Sequence, residues 1–234
     1  MPPSTTGIDP VPLTDLISAF MLLTRLPAGR FAHRFEPPNL ARCVWAFPVV
    51  GLVVNGTVGL VYWLVRTLGM PPLLAAVWTV AASITMTGAL HEDGLADTAD
   101  GFGGGRTAAR KLEIMRDSAI GSYGALALLL STAVRVAAIA SLDRPPMVMA
   151  ALVSAGMLGR SGILLLMLVL APARSDGLGA SMGKPRAMGA VLGFGLAIGA
   201  SVSLLAIRTA AAAVLLGLSA PVLLSKLAQM QIGG

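Results

Sequence analysis

The chain has 234 residues, 56% of them apolar and only 12% charged, with a mean hydropathy of +0.81. Soluble domains carry about 45–50% apolar and about 25% charged residues, so one aqueous core cannot hide this much apolar surface and the chain must face lipid. The net charge of +6 comes from cations spread singly rather than gathered in a patch, which argues against nucleic acid as a partner.

Residues 1–10 have no basic stretch ahead of an apolar run, so they do not read as a cleaved signal peptide. Residues 13–26 are apolar but too short to cross a bilayer and hold Asp15 and Arg25, which predicts an interfacial or re-entrant helix. His33 reads as a surface residue. Cys43, the single cysteine, cannot form an internal disulfide and reads as a small buried residue. Runs of about 20 apolar residues then follow at 44–65, 72–90, 120–142, 147–170 and 187–207, with a shorter sixth at 210–227 that contains Pro221. The expectation is an all-α polytopic membrane bundle: about six transmembrane helices and an N-terminal interfacial helix in a single domain, 1–234. Arg135 and Arg160 fall within spans, where a charge points to a polar cavity or a function.

Cation placement sets the orientation. With the N-terminus in the cytoplasm, the inner segments hold Arg25, Arg30, Arg34, Arg42, Arg106, Arg110, Lys111, Arg116, Arg174, Lys184, Arg186 and Lys226. The outer turns hold only Arg66, Arg144 and Arg208. This asymmetry predicts that segments 91–117 and 172–186 share the cytoplasmic face.

The chemistry concentrates in His91-Glu92-Asp93-Gly94-Leu95-Ala96-Asp97-Thr98-Ala99-Asp100, where four of eleven carboxylates lie within nine residues at the end of a span. If the helix of span two continues, each residue advances ~100°, so Asp97 lies about 40° from Asp93 and Asp100 about 20° to the other side, with Glu92 at the edge. Like charges so placed repel and are costly to desolvate. A divalent cation relieves both, and an all-oxygen set suits Mg²⁺ shared with substrate phosphates, while one nearby His and no Cys argue against zinc. Glu92, Asp93, Asp97 and Asp100 are the candidate ligands; Asp93, Asp97 and Asp100 are the candidate catalytic groups.

Downstream, Arg106 and Arg110 are four apart, hence expected on one helical face as a phosphate clamp, with Glu113 and Asp117 as a second pair at that spacing and a source of further metal ligands. Arg116, Asp117 and Ser118 follow. Gly101, Gly103, Gly104 and Gly105 match neither a dinucleotide fingerprint nor a P-loop and are expected to end the helix and free a loop to close over a ligand. Carboxylates that hold Mg²⁺ beside arginines suit displacement at phosphorus, with one Asp taking the proton from an attacking hydroxyl. Two histidines allow no Ser-His-Asp or Cys-His set to be assembled.

At these residues the chain resembles the cobalamin synthase (adenosylcobinamide-GDP ribazoletransferase) family. The likeness is carried by 90–102, Leu90 through Asp93-Gly94, Asp97 and Asp100-Gly101-Phe102, and by 111–124, Lys111-Leu112-Glu113-Ile114-Met115-Arg116-Asp117-Ser118 through Gly121-Ser122-Tyr123-Gly124. Leu23-Thr24-Arg25-Leu26-Pro27, Phe47-Pro48-Val49-Val50-Gly51 and Ala173-Arg174-Ser175-Asp176-Gly177-Leu178-Gly179 support it in the same order. The resemblance implies a Mg²⁺-dependent transferase of a prokaryotic inner membrane that joins adenosylcobinamide-GDP to α-ribazole or its 5′-phosphate and releases GMP. It also implies that Arg106, Arg110, Arg116, Asp117 and Ser118 bind phosphates or brace the metal, and that Arg174 and Asp176 complete the pocket. Membrane lipid is an expected partner, and association of copies of the chain is compatible with such spans.

The family pattern continues from a Gly-Gly pair into Thr-Gly-Asp and a last membrane segment. Here the sequence ends at Gly233-Gly234, so that seventh segment and its Asp are expected to be missing and turnover to suffer if the Asp belongs to the site. Two other classes compete. A CDP-alcohol phosphotransferase would have Ala-Arg after the first Asp-Gly, where Leu95-Ala96-Asp97 stands. A cation-binding transporter or scaffold would place charges mid-span and show repeats, which are not evident.

Overall fold

In the computed structural model, residues 11–27, 40–176 and 178–233 are described; residues 1–10, His33, Arg30 and Arg34 lie outside them. Every regular element among the described residues is a helix. In chain order they are α1 (Val11–Leu23), α2 (Leu40–Cys43), a 3₁₀ turn (Val44–Ala46), α3 (Phe47–Thr67), α4 (Pro72–Thr87), α5 (Leu90–Gly104), α6 (Ala108–Ile114), α7 (Ser122–Leu142), α8 (Pro145–Val169), α9 (Leu178–Met182), α10 (Ala187–Leu204) and α11 (Ile207–Ile232).

Five stretches are long and apolar enough to cross a bilayer: Leu40–Thr67, Ser122–Leu142, Pro145–Val169, Ala187–Leu204 and Ile207–Ile232. They match five of the expected runs. Span 210–227 is a longer helix than its composition suggested, and Pro221 does not end it. The Pro221 ring instead packs at Gly162, where an added Cβ would stand 2.8 Å from its Cγ.

The second run behaves differently. It does not continue straight into the acidic segment: α4 stops at Thr87 and α5 leaves at 90°. Gly88 ends α4 with φ +65°, and Ala89 follows at φ +60°, a region that disfavours a Cβ. What holds the break is tertiary. The Arg25 amide donates to the Met86 carbonyl (2.8 Å), and the Arg25 side chain lies so close over Gly88 that a Cβ there would be 2.3 Å from Nε. α5 carries four carboxylates and lies outside the five apolar spans.

The bundle is centred on α3 against α8. Gly51 and Gly156 permit this approach: a Cβ on Gly51 would stand 2.4 Å from the Gly156 carbonyl oxygen, the small-residue packing that lipid favours. α4 and α7 pack on one side around Tyr62, Ala76, Val80 and Ile139, and α10 and α11 on the other around Val153, Met157 and Ala197. Leu129, Leu130, Leu215, Leu216 and Leu223 remain exposed on the outer faces, as a lipid-facing surface requires. α1 is short, as expected, but not loosely placed: buried Asp15 accepts from Arg42 Nε (2.7 Å) and Trp45 Nε1 (3.1 Å). Cys43 is a buried free thiol, in line with its reading.

Candidate active site

After the bend, α5 runs back along the first half of α7, and this pairing distributes the four carboxylates to different tasks. Asp100 is buried and accepts two backbone N–H groups, Gly121 N at Oδ2 and Gly124 N at Oδ1, both at 2.8 Å. It thereby caps the start of α7, where amides lack helical partners and the dipole favours an anion. The fit requires glycine at both places, since an added Cβ would stand 2.4 Å (Gly121) or 2.3 Å (Gly124) from Asp100 oxygens. Glu92 turns toward the bundle instead. Its Oε1 receives Arg135 Nη1 at 2.7 Å, while its Oε2 is buried without a partner among the described residues.

Asp93 and Asp97 remain. They stand one turn apart on α5, and their carboxylates make neither hydrogen bond nor ion pair among the described residues. Burial, then the neighbouring charges of Asp93 and Asp100, push the Asp97 carboxyl above its usual value, and Arg174 draws it back. A cation between Asp93 and Asp97 would remove that repulsion. Mg²⁺ is commonly held by one or two carboxylates, several waters and substrate phosphates, so this pair fits the ion. No three His, Cys, Asp or Glu side chains among the described residues are gathered tightly enough to enclose one by themselves.

Two expectations about the downstream segment are corrected. Arg106 and Arg110 do not share a helical face, because α5 has ended at Gly104 and Thr107 starts α6, its Oγ1 accepting the Arg110 amide at 3.2 Å. Arg110 pairs with Glu113 (2.8 Å), and burying neither, this exposed ion pair holds the guanidinium even more firmly protonated. Glu113 and Asp117 are likewise separated, since α6 stops at Ile114 and Asp117 accepts the Ala119 amide at 3.0 Å in the turn before α7. Ser118 is exposed in that turn, and Arg106 is exposed with no ion pair among the described residues. The glycines do end α5, but they also admit close neighbours: a Cβ on Gly101 would meet Met115, on Gly103 the Tyr123 ring, and on Gly105 Lys111.

Segments 91–117 and 172–176 meet where Arg116 reaches Asp176. Arg116 Nη2 donates to both oxygens of Asp176 at 2.8 and 2.9 Å, and Arg174 Nε stands 4.0 Å from the same carboxylate. Lys111, read as a topology charge, is buried and donates to Gln231, which ties α6 to the end of α11.

Sequence reasoning missed Arg25 as a site residue. It lines a cavity of about 470 Å³ with Met21, Thr87, Gly88 and Asp93, so it places a cation beside the acidic pair. Its signals were a charge in an apolar stretch and its place in the supporting motif Leu23-Thr24-Arg25-Leu26-Pro27. Arg135 and Arg160, flagged as intramembrane charges, both line a second cavity of about 490 Å³ between α3, α4, α7 and α8, together with His91 and Glu92. Asn55 and Ser83 in its wall carried no signal.

The family model described as Cobalamin-5-phosphate synthase matches residues 15–234. A protein of Bradyrhizobium diazoefficiens called adenosylcobinamide-GDP ribazoletransferase is 46% identical over 237 residues, covering 100% of this chain and 89% of the relative. Relatives with the same name from Azorhizobium caulinodans (45% identical, 76% of this chain, 69% of the relative) and Mesorhizobium japonicum (42%, 77% and 71%) are also similar. No solved structure matches.

Proposed function

The chain belongs to the cobalamin-5-phosphate synthase family, and we propose that it is the membrane transferase joining adenosylcobinamide-GDP to α-ribazole or its 5′-phosphate. A ribose hydroxyl attacks the cobinamide-bearing phosphorus. A new P–O bond to the ribose forms, the bond from that phosphorus to the oxygen shared with GMP breaks, and GMP leaves with the electron pair.

The observation that carries this reading is the pair Asp93 and Asp97, uncommitted on α5, with Arg174 acting on Asp97 and Arg116 beside it at Asp176. Asp93 and Asp97 would hold Mg²⁺, which when bound supplies charge neutralisation for the diphosphate. Exposed Arg106 and Arg116 and half-buried Arg174 supply guanidinium donors for the oxygens that do not react. Arg25, on the other side of Asp93, adds positive charge where the phosphates would lie. Asp97 takes the proton of the attacking hydroxyl, and its raised pKa suits it to accept one. Asp100, with both oxygens satisfied by α7 amides, holds α5 in place under this pair. The cation asymmetry supports a site facing the cytoplasm, and the family supports a prokaryotic inner membrane.

The test is purified protein in lipid with adenosylcobinamide-GDP, α-ribazole and Mg²⁺, scored for GMP and the joined corrinoid. GMP release that depends on α-ribazole and on Mg²⁺ is expected. GMP formed at the same rate without α-ribazole would mark a hydrolase and overturn the reading.

A further inference from the structure

The cavity between α3, α4, α7 and α8 lies apart from the phosphate-handling face of α5, and its lining has two contrasting parts. Most of its wall is apolar, with Val58, Ile139 and Leu152 among the contributors. Near the start of α5 its lining includes Arg160, a residue only 6% exposed, and Glu92, whose Nε and Oε2 respectively are buried without partners among the described residues. A buried donor or acceptor left without a partner is costly. Thr87 lines this cavity and also the one that holds Arg25 and Asp93, so the two meet at the end of α4.

We infer that this cavity is the pocket for the nucleoside partner of the reaction, an uncharged aromatic base seated among the apolar side chains with its ribose at the Glu92–Arg160 end. This rests on the function proposed above, which requires one substrate with an apolar heteroaromatic base and another with two phosphates. The phosphates suit the arginines around Asp93 and Asp97, whereas the base suits the apolar wall of this cavity. A carboxylate beside ribose hydroxyls is the usual way to hold a sugar diol, and the Arg160 guanidinium in the lining supplies donors for a ribose or base acceptor. The volume of about 490 Å³ falls within the roughly 300–1,000 Å³ of small-molecule pockets. Held so, a ribose hydroxyl at the Thr87 junction is presented to the Asp93 side of α5.

Gly159 gives the clean test, because it lines the cavity and a Cβ built there meets nothing within 4 Å. Equilibrium dialysis of α-ribazole against protein in nanodiscs is run without the second substrate, alongside KM values for both. Gly159→Leu is expected to weaken α-ribazole binding and raise its KM by about tenfold or more, with the KM for adenosylcobinamide-GDP unchanged. Unchanged α-ribazole binding in that variant overturns the inference. Should the variant misfold, Val58→Ala decides: an enlarged pocket is expected to bind a nucleoside with a bulkier base several-fold better than the original does, and no gain overturns it. Native mass spectrometry covers the remaining occupant; a bound lipid that excess α-ribazole does not displace, and that Gly159→Leu lacks, makes this a lipid site. Wild-type protein that binds α-ribazole in a Gly159-dependent way yet releases no GMP would leave the pocket standing and remove the transferase reading.

Discussion

One guanidinium nitrogen of Arg116 donates to both carboxylate oxygens of Asp176, at 2.8 and 2.9 Å, joining two loops 60 residues apart in the chain. Both side chains are more than half exposed. An exposed ion pair contributes about 0–1 kcal/mol, so its value lies in position rather than stability. Asp176 holds Arg116 and Arg174 on one side of the acidic helix. Asp176→Ala is expected to leave the thermal unfolding midpoint nearly unchanged and to raise the KM for adenosylcobinamide-GDP by about tenfold, the loss of about one charge-assisted contact. A large fall in midpoint with an unchanged KM would make the pair structural.

The bend at Gly88 and Ala89 gives a prediction with opposite signs at neighbouring positions. Gly88 has φ +65° and lies under Arg25, so Gly88→Ala strains the backbone by about 1–2 kcal/mol and pushes the Arg25 side chain aside. Ala89 already bears that strain at φ +60°, so Ala89→Gly relieves it and is expected to be neutral or mildly stabilising. Thermal denaturation in detergent reads both. Equal losses at the two sites would contradict the left-handed geometry.

These cases show what the sequence made legible. Five of the spans could be read because length and apolarity alone decide what crosses a bilayer, and Arg135 and Arg160 could be singled out because charge there is rare. The bend could not be read, because its cause is Arg25, more than sixty residues upstream, pressing on a glycine that resembles any other in an apolar run. The role of Asp100 was hidden for a similar reason. Helical spacing put it beside Asp93 and Asp97, but its partners are amides 21 and 24 residues further on. Arg106 and Arg110 were paired by spacing alone, and the change of helix at Thr107 separates them.

Asp100 therefore separates a scaffold role from a metal role. Asp100→Ala removes two hydrogen bonds to a charged acceptor and strands two amides at the start of α7, for a cost of about 3 kcal/mol. Asp100→Asn retains an acceptor oxygen for one amide and is expected to lose about half as much. If Asp100 acts by holding α5, folded Asp100→Asn protein should still bind Mg²⁺ with near-normal affinity. A Mg²⁺ affinity lowered a hundredfold, with stability intact, would return Asp100 to the metal shell.

Asp97 offers the sharpest pH test. Its carboxyl ionises above the ordinary aspartate value of 3.8, first because of burial and then because of Asp93 and Asp100. A raised pKa means the folded protein holds its proton to higher pH than the unfolded chain does. The stabilising contribution is therefore present below 3.8 and lost as pH climbs through the raised value. The metal-free protein should thus lose stability across that window as pH rises. Mg²⁺ binds the ionised form, so saturating Mg²⁺ should cancel the loss, and its affinity should fall as pH drops through the same window. Asp97→Asn has no carboxyl to titrate: it should flatten both profiles, insert normally and abolish turnover. Retained turnover in Asp97→Asn, or pH profiles in Asp97→Asn that match those of the parent, would remove Asp97 from the site.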